Sequence, residues 1–456
     1  MPSATERLAR FISSFAAASA PHEAYHTAKL AIRDTLGAAL AAQDEPACKV
    51  LRAYVDAAPG RRQATIWGAA RRVGAPEAAL LNGVAAHALD YDDLNRSIGG
   101  HPTAVVAPAV FAVGELVGAT GQQALDAYLL GFEVMAKLGQ VLNPGLYLKG
   151  WHPTSVLGIM GACAASCYLL GLSHEQVVNA LGIAASEASG IKKNFGSMTK
   201  PFHAGSAARK GLWVAQLAKL GLTADQESLD GGFGYLELFK GDAPFNSEPL
   251  EHLGEPFDIV ASGLAFKQYP CCGSTHPMVD CVLDIRREHK VDPAQVVSVD
   301  CRLHPQRVGH INRPVVKTPL QAKFSLQCVT AMALADGFIG LGQFSSPAYL
   351  RPAVQELMSK VNIVPDETLA EYGAQAVVRM ADGRTLTCSV PEAKGSPAFP
   401  IPDDDLERKF VDCASTILDQ PVAQEASQLI MALERQRNLH PLLHLLVAAP
   451  DEDQCC

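Results

Sequence analysis

From Ala4 to about residue 245 the apolar positions recur every three to four residues, and that period dictates amphipathic helices packed against one another. It predicts helices over 4–19, 22–43, 74–90, 104–117, 121–142, 153–171, 174–189 and 203–220. Ser173 and Thr223 can cap them, and Gly118, Gly171 and Gly221 can close them. Segments 153–171 and 174–189 carry almost no charge, which assigns them to the centre of the bundle, and abundant Ala and Gly allow close helix–helix approach. The period changes near Phe257. Residues 257–270 read as extended, 295–304 alternate as a strand, and 374–390 hold two strand-like runs around Asp382-Gly383, a hairpin signal. Helical patterns lie between them at 274–289, 319–336 and 349–361, and helices return from 403. The expected fold is mainly α with an α+β second domain. A large all-helical domain is built from 1–256 and 401–456, and a smaller α+β domain spans 257–400.

Composition narrows the partners. Thirty-eight basic against 47 acidic residues, with no dense Lys/Arg run, argue against a nucleic-acid partner, and 48% hydrophobic with 19% charged content argues against disorder. The N-terminus lacks a basic region followed by an apolar run, and stretches such as 156–172 are broken by Gly, Ser and Cys. Neither a leader nor a membrane partner is expected. The 12 cysteines are dispersed and form no C-x-x-C pair, which points to reduced thiols, a cytoplasmic location and no structural zinc. Cys163 and Cys167, four apart, should be neighbours on one buried helix face, and the acidic tail DEDQCC should fray. So many uncharged helices present more apolar surface than a monomer hides, so a homodimer is expected.

The chemistry must come from side chains. There is no G-x-G-x-x-G after a strand, no Walker lysine loop, no H-E-x-x-H and no nucleophile elbow, so no cofactor and no metal are expected. Four segments place titratable residues among apolar helices. In 87–102 a helix ends in Asp90, Asp92 and Asp93, carboxylates that oppose the helix dipole. They either orient a histidine such as His101 or sit on a solvated helix end. In 150–158, His152, Thr154 and Ser155 open the most apolar helix, either as an anion-binding terminus or as a plain capping turn. In 190–205, Lys200 precedes a proline and should be held by a loop. It can bind a carboxylate or act as a base, while an exposed connector would suit Lys192 and Lys193 better. In 267–276, Lys267, Tyr269, Thr275 and His276 share one turn-rich segment, and Cys271 or Cys272 lacks the local signature of a nucleophile. The four together suggest acid–base chemistry on a small polar anion at a domain interface.

HALDYDD at 87–93 followed by His101-Pro102, GWHPTSVLG at 150–158, MTKPFHAGSAA at 198–208, KQYPCCGSTH at 267–276 and NRPVVKTPLQAKFSLQ at 312–327 resemble the MmgE/PrpD family. That family includes 2-methylcitrate dehydratase, cis-aconitate decarboxylase and iminodisuccinate epimerase. The resemblance implies a helical domain joined to a smaller α+β lid domain in a cofactor-independent homodimer. Carried over position by position, the decarboxylase branch implies active-site roles for Asp90, His101, His152, Lys200 and His276, with Lys267 as a further lysine of the pocket. The stretch 325–328 ends in Cys328 where that branch has tyrosine. The expected activity is that of a metal-free lyase on a di- or tricarboxylic acid, with dehydration or decarboxylation as the outcome. The alternatives are an epimerase of an imino- or amino-dicarboxylate and a binding protein that kept the fold. In this reading the site lies in the cleft between domains. Lys200 and Lys267 hold carboxylates, and Thr154, Tyr269 and Thr275 assist binding. His152, kept neutral by a positive helix end, moves the proton. His101, oriented by Asp90, is the second acid–base group.

Overall fold

A computed structural model describes residues 2–58, 60–242, 246–344 and 347–447. The tail DEDQCC lies outside them. The chain divides into two compact units. One comprises Met1–Lys193, Thr199–Ala265 and Pro402–Cys456, the other Asn194–Met198 and Phe266–Ile401. The division falls after Ala265 and not at 257, because the stretch read as extended begins with a short helix, Asp258–Ala261. The Asp258 N–H donates to the buried Glu133 carboxylate at 2.7 Å, and Ala265 exchanges backbone hydrogen bonds with Leu94. Both ties keep the segment with the helices. Residues 194–198 belong to the second unit, where the Arg313 guanidinium donates to the Phe195 carbonyl at 2.8 Å.

In the first unit the helices that carry the site are α1 (Ala75–Ala88), α2 (Thr103–Val117), α3 (Gly121–Leu142), α4 (Gly158–Leu170) and α5 (Thr199–Lys219). The nearly uncharged α4 packs against α2, α3 and α5, the central position its composition requires. The run Pro153–Leu170 is long and apolar enough to cross a membrane by length and composition, but it is a core helix here, largely buried within the unit. Thr120 and Gln123 form a capping box that starts α3, and Ser173 with Gln176 does the same for His174–Glu187. One close helix contact near the site is glycine on glycine. A Cβ on Gly83 of α1 would lie 2.7 Å from the Gly205 Cα of α5, and one on Gly205 would lie 2.3 Å from the Leu80 carbonyl oxygen. A helix at Pro46–Asp56 and a two-residue ribbon pairing Ala64–Thr65 with Arg72–Val73 add to the pattern read from the sequence. The C-terminal helices Asp403–Ala414 and Gln420–Met431 return to pack on His22–Ala41.

The second unit is built on a four-stranded sheet of β1 (Val296–Leu303), β2 (Val361–Pro365), β3 (Ala374–Met380) and β4 (Thr385–Val390), in the order β2-β1-β3-β4. β1 pairs in parallel with β2 and antiparallel with β3, and β3 and β4 form the expected hairpin with Gly383 at φ 88° in its turn. The helical pattern expected over 349–361 ends where β2 begins, and β2 itself is not among the expected strands. The helix Pro352–Ser359 runs straight into it, and five residues are too few for an alternating pattern to stand out. Val296, Val299, Cys301 and Leu303 of β1 turn inward, and helices α6 (His276–His289) and α7 (Leu326–Asp336) pack on the sheet. The expected helix 319–336 is broken before α7, where the Ser325 hydroxyl accepts the Cys328 N–H at 3.0 Å. The described cysteines are free thiols, all buried except the half-buried Cys388, and Cys163 and Cys167 sit 3.9 Å apart.

Candidate active site

Helix α1 stops because Asp90 adopts a left-handed backbone at φ 54°, a conformation that Asp tolerates better than most side chains. The turn brings Asp90, Asp92 and Asp93 inward, and all three are buried. What stabilises Asp90 there is Lys200, whose ammonium donates to Asp90 Oδ1 at 2.5 Å and to His87 Nε2 at 2.8 Å. Removing one member of a buried pair of this kind costs about 3–5 kcal/mol, since the other charge is left uncompensated. Lys200 is held by a helix and not by a loop. It lies in the first turn of α5, where the missing N–H of Pro201 is harmless because first-turn N–H groups have no partner within the helix.

Asp92 faces two imidazoles. His87 Nδ1 lies 2.9 Å and His101 Nδ1 3.2 Å from its Oδ2. His101 Nδ1 also meets the Asp93 carbonyl at 2.8 Å, and a carbonyl only accepts, so that nitrogen carries the hydrogen. The atom left to take or give a proton is His101 Nε2, 4.0 Å from Asp90 Oδ1. The carboxylate that orients His101 is therefore Asp92, not Asp90 as expected, because Asp90 is committed to Lys200. Thr154, expected to touch substrate, is buried, and its hydroxyl accepts the His101 backbone N–H at 3.1 Å. Gly100 makes that approach possible, since a Cβ there would meet Thr154 Oγ1 at 2.7 Å.

His152 Nδ1 lies 3.0 Å from His203 Nδ1, and its backbone N–H donates to the Gly190 carbonyl. The helix that His152 caps, Pro153–Val156, is only four residues long. Burial first, and then the Lys200 charge, push the His152 pKa well below its ordinary value, so the ring is neutral for a reason other than the helix end. Burial likewise lowers His203 to about 4 and His87 to about 3. Burial pushes Asp92 up, but the two imidazoles facing it prevail and hold it well below the carboxylate range. Asp93 is pushed well above that range by burial, and the Thr103 hydroxyl donates to its Oδ2 at 2.5 Å. His87, Asp92 and His101 also have donor atoms within 4.8 Å of one another, the spacing of a metal cluster. His101 Nδ1 is engaged by the Asp93 carbonyl and Asp92, and His87 Nδ1 by Asp92, so the three form a hydrogen-bonded set.

The second unit gathers Lys267, Tyr269, Thr275 and His276, all buried. Tyr269 donates its hydroxyl to Asp280 at 2.7 Å, and Thr275 donates to the Cys272 carbonyl at 2.7 Å. These two hydroxyls, expected to bind substrate, shape the turn before His276. The His276 ring packs edge-on to Tyr269 at 5.1 Å, with Nε2 3.2 Å from the Cys271 carbonyl. Cys328 is buried in the first turn of α7, its thiol pushed up to about 12 by burial. Sequence reasoning missed His87 and His203 as members of the first cluster. The signal for His87 was present, a histidine in the last turn of an apolar helix, five residues before Asp92.

Profiles of the MmgE/PrpD N-terminal domain and the MmgE/PrpD C-terminal domain match residues 6–248 and 269–435. The chain is 29% identical over 460 residues to the cis-aconitate decarboxylase of Homo sapiens, covering 98% of this chain and 95% of that protein. The cis-aconitate decarboxylase of Mus musculus is 29% identical, covering 93% and 90% respectively, and that of Aspergillus terreus is 26% identical, covering 97% and 95%.

Proposed function

Because the chain belongs to the MmgE/PrpD family and is a lyase, we propose that it is a carboxy-lyase acting on a cis-aconitate-like tricarboxylate. The observation that supports this reading is the buried group of Lys200, Asp90, His87, Asp92 and His101, which pairs a fixed cation with an oriented imidazole. In such a substrate one carbon separates the departing carboxylate from a double bond. As the C–C bond breaks and CO₂ leaves, its electron pair forms a new double bond. The old π pair moves to the carbon beside a retained carboxylate, and that carbon then takes a proton. Negative charge therefore grows on the retained carboxylate, and the Lys200 ammonium is the cation assigned to it. His101 delivers the proton from Nε2, while its Nδ1–H stays with Asp92 and the Asp93 carbonyl in either charge state. His152, whose basicity burial holds far down, suits a neutral hydrogen bond to substrate, so the proton-transfer role passes to His101. Lys267 and His276 keep the roles that the resemblance implies, and we assign the protein to a cytoplasmic homodimer.

The test is to follow cis-aconitate by NMR in deuterium oxide. CO₂ release with one deuterium in the product is expected, and activity should survive exhaustive chelation. Absence of CO₂, with solvent exchange on iminodisuccinate or loss of water from 2-methylcitrate instead, would replace this reading by the epimerase or the dehydratase.

A further inference from the structure

His87 is the hub of the first cluster. Its Nε2 meets Lys200 Nζ at 2.8 Å, its Nδ1 meets both oxygens of Asp92 at 2.9 and 3.0 Å, and its ring centroid lies 4.4 Å from that of His101 and 6.1 Å from that of His152. An ionised Asp92 only accepts, so Nδ1 of His87 carries the hydrogen and Nε2 presents a lone pair. An ammonium only donates, so the His87–Lys200 contact has one polarity: Lys200 gives and His87 receives. The order Asp92, His87, Lys200, Asp90 thus alternates acceptor and donor without conflict at any link.

We propose that His87 is a positioning residue: held in one tautomer by Asp92, it is the neutral second acceptor that fixes the direction of the Lys200 ammonium. With Asp90, His87 gives the ammonium two acceptors, from α1 and from the turn after it, that set its direction. The groups facing Lys200 include Asp90 and His87 from α1 and its turn, His152 at the start of Pro153–Val156, and His203 on α5 itself. Among them Asp90 is the counter-charge and His87 the neutral ring in hydrogen-bond contact. A ring that burial holds to about 3 stays an acceptor through the whole neutral range and does not compete with Lys200 for a proton. Asp92 couples the two functions, since the same carboxylate also orients His101.

This inference rests on the proposed carboxylate-binding role of Lys200, and the experiment separates the two. Full-length His87→Leu, His87→Gln and Lys200→Ala are assayed on cis-aconitate from pH 5.5 to 9, with circular dichroism as the folding control. Loss of a hydrogen bond to a charged group is worth about tenfold to about a hundredfold, so His87→Leu should lower kcat/KM by that much, mainly by raising KM. His87→Gln, whose side-chain oxygen can reach the place of Nε2, should recover most of the loss. A merely structural histidine would change the unfolding midpoint and leave KM where it was. Should His87→Leu not fold, His87→Gln decides alone: near-native KM supports the proposal and loss of turnover overturns it. Equal inactivity of both folded variants, with the acid limb abolished, would make His87 the proton carrier and overturn the positioning role. Native kinetics in both, beside an inactive Lys200→Ala, would overturn this inference alone. Native kinetics in Lys200→Ala would overturn it together with the reading beneath it.

Discussion

Asp92 serves two imidazoles at once, and an asparagine in its place carries no charge and sets an amide donor where the second carboxylate oxygen meets the His87 Nδ1–H. Asp92→Asn should therefore release one ring from its tautomer and lower turnover by about 10²–10⁴-fold, the usual worth of a positioned proton-transfer group. Steady-state kinetics on cis-aconitate would show it, and an unchanged kcat would disprove the shared-carboxylate arrangement. By the same logic His101→Ala should lose about 10²–10⁴-fold in kcat, whereas His152→Ala should act mainly on KM. If His152→Ala shows the larger fall in kcat, the proton belongs to His152 after all. The sequence motifs already pointed to Asp90, His101, His152 and Lys200, and these four do come together in the first unit. Which carboxylate goes with which base was not legible. Asp90, Asp92 and Asp93 lie within four residues, and the left-handed turn at Asp90 decides their directions, which no spacing rule anticipates.

The contact of α1 with α5 through Gly83 and Gly205 sets how far His87 stands from Lys200. A Cβ at Gly205 would press on the Leu80 carbonyl, which is backbone and cannot step aside. Gly205→Ala should thus cost about 1–3 kcal/mol by overpacking and push the two helices apart. Urea unfolding would measure the first effect and KM for cis-aconitate the second. Wild-type values of both would mean that the helices are not held at this distance by the glycines. The wealth of Ala and Gly announced close packing, but only coordinates could say which glycine pair carries the site. Elements announced by long periods appear with small shifts at their ends, such as α5 starting at Thr199 instead of 203. Short ones such as Val361–Pro365 and Ala64–Thr65 hold too few residues to show a period.

Burying several neutral histidines makes the folded chain a poor proton acceptor. His203 is held to about 4 in the folded state, below its ordinary 6.5, so the unfolded chain binds a proton that the folded chain refuses over that interval. Stability from this residue is complete above about 6.5, declines as pH falls towards about 4 and levels off below. His203→Gln should therefore gain on the wild type as pH falls across that window, by less than the limiting slope of about 1.4 kcal/mol per pH unit because water reaches part of the ring. Urea titrations at pH 7, 6 and 5 would test this, and a constant difference would refute it. For the proposed homodimer, light scattering at micromolar concentration should give about twice 48.4 kDa, and a monomer would refute it. The thiols have a different use. Cys48, Cys301, Cys328 and Cys413 are each pushed up to about 12 by burial, in both units, so a maleimide at neutral pH finds neither access nor thiolate while the chain stays closed. In a chain with Cys455 and Cys456 replaced, the labelling rate of each cysteine becomes a clock for the opening of the segment that hides it. The two units can then be timed separately as they breathe.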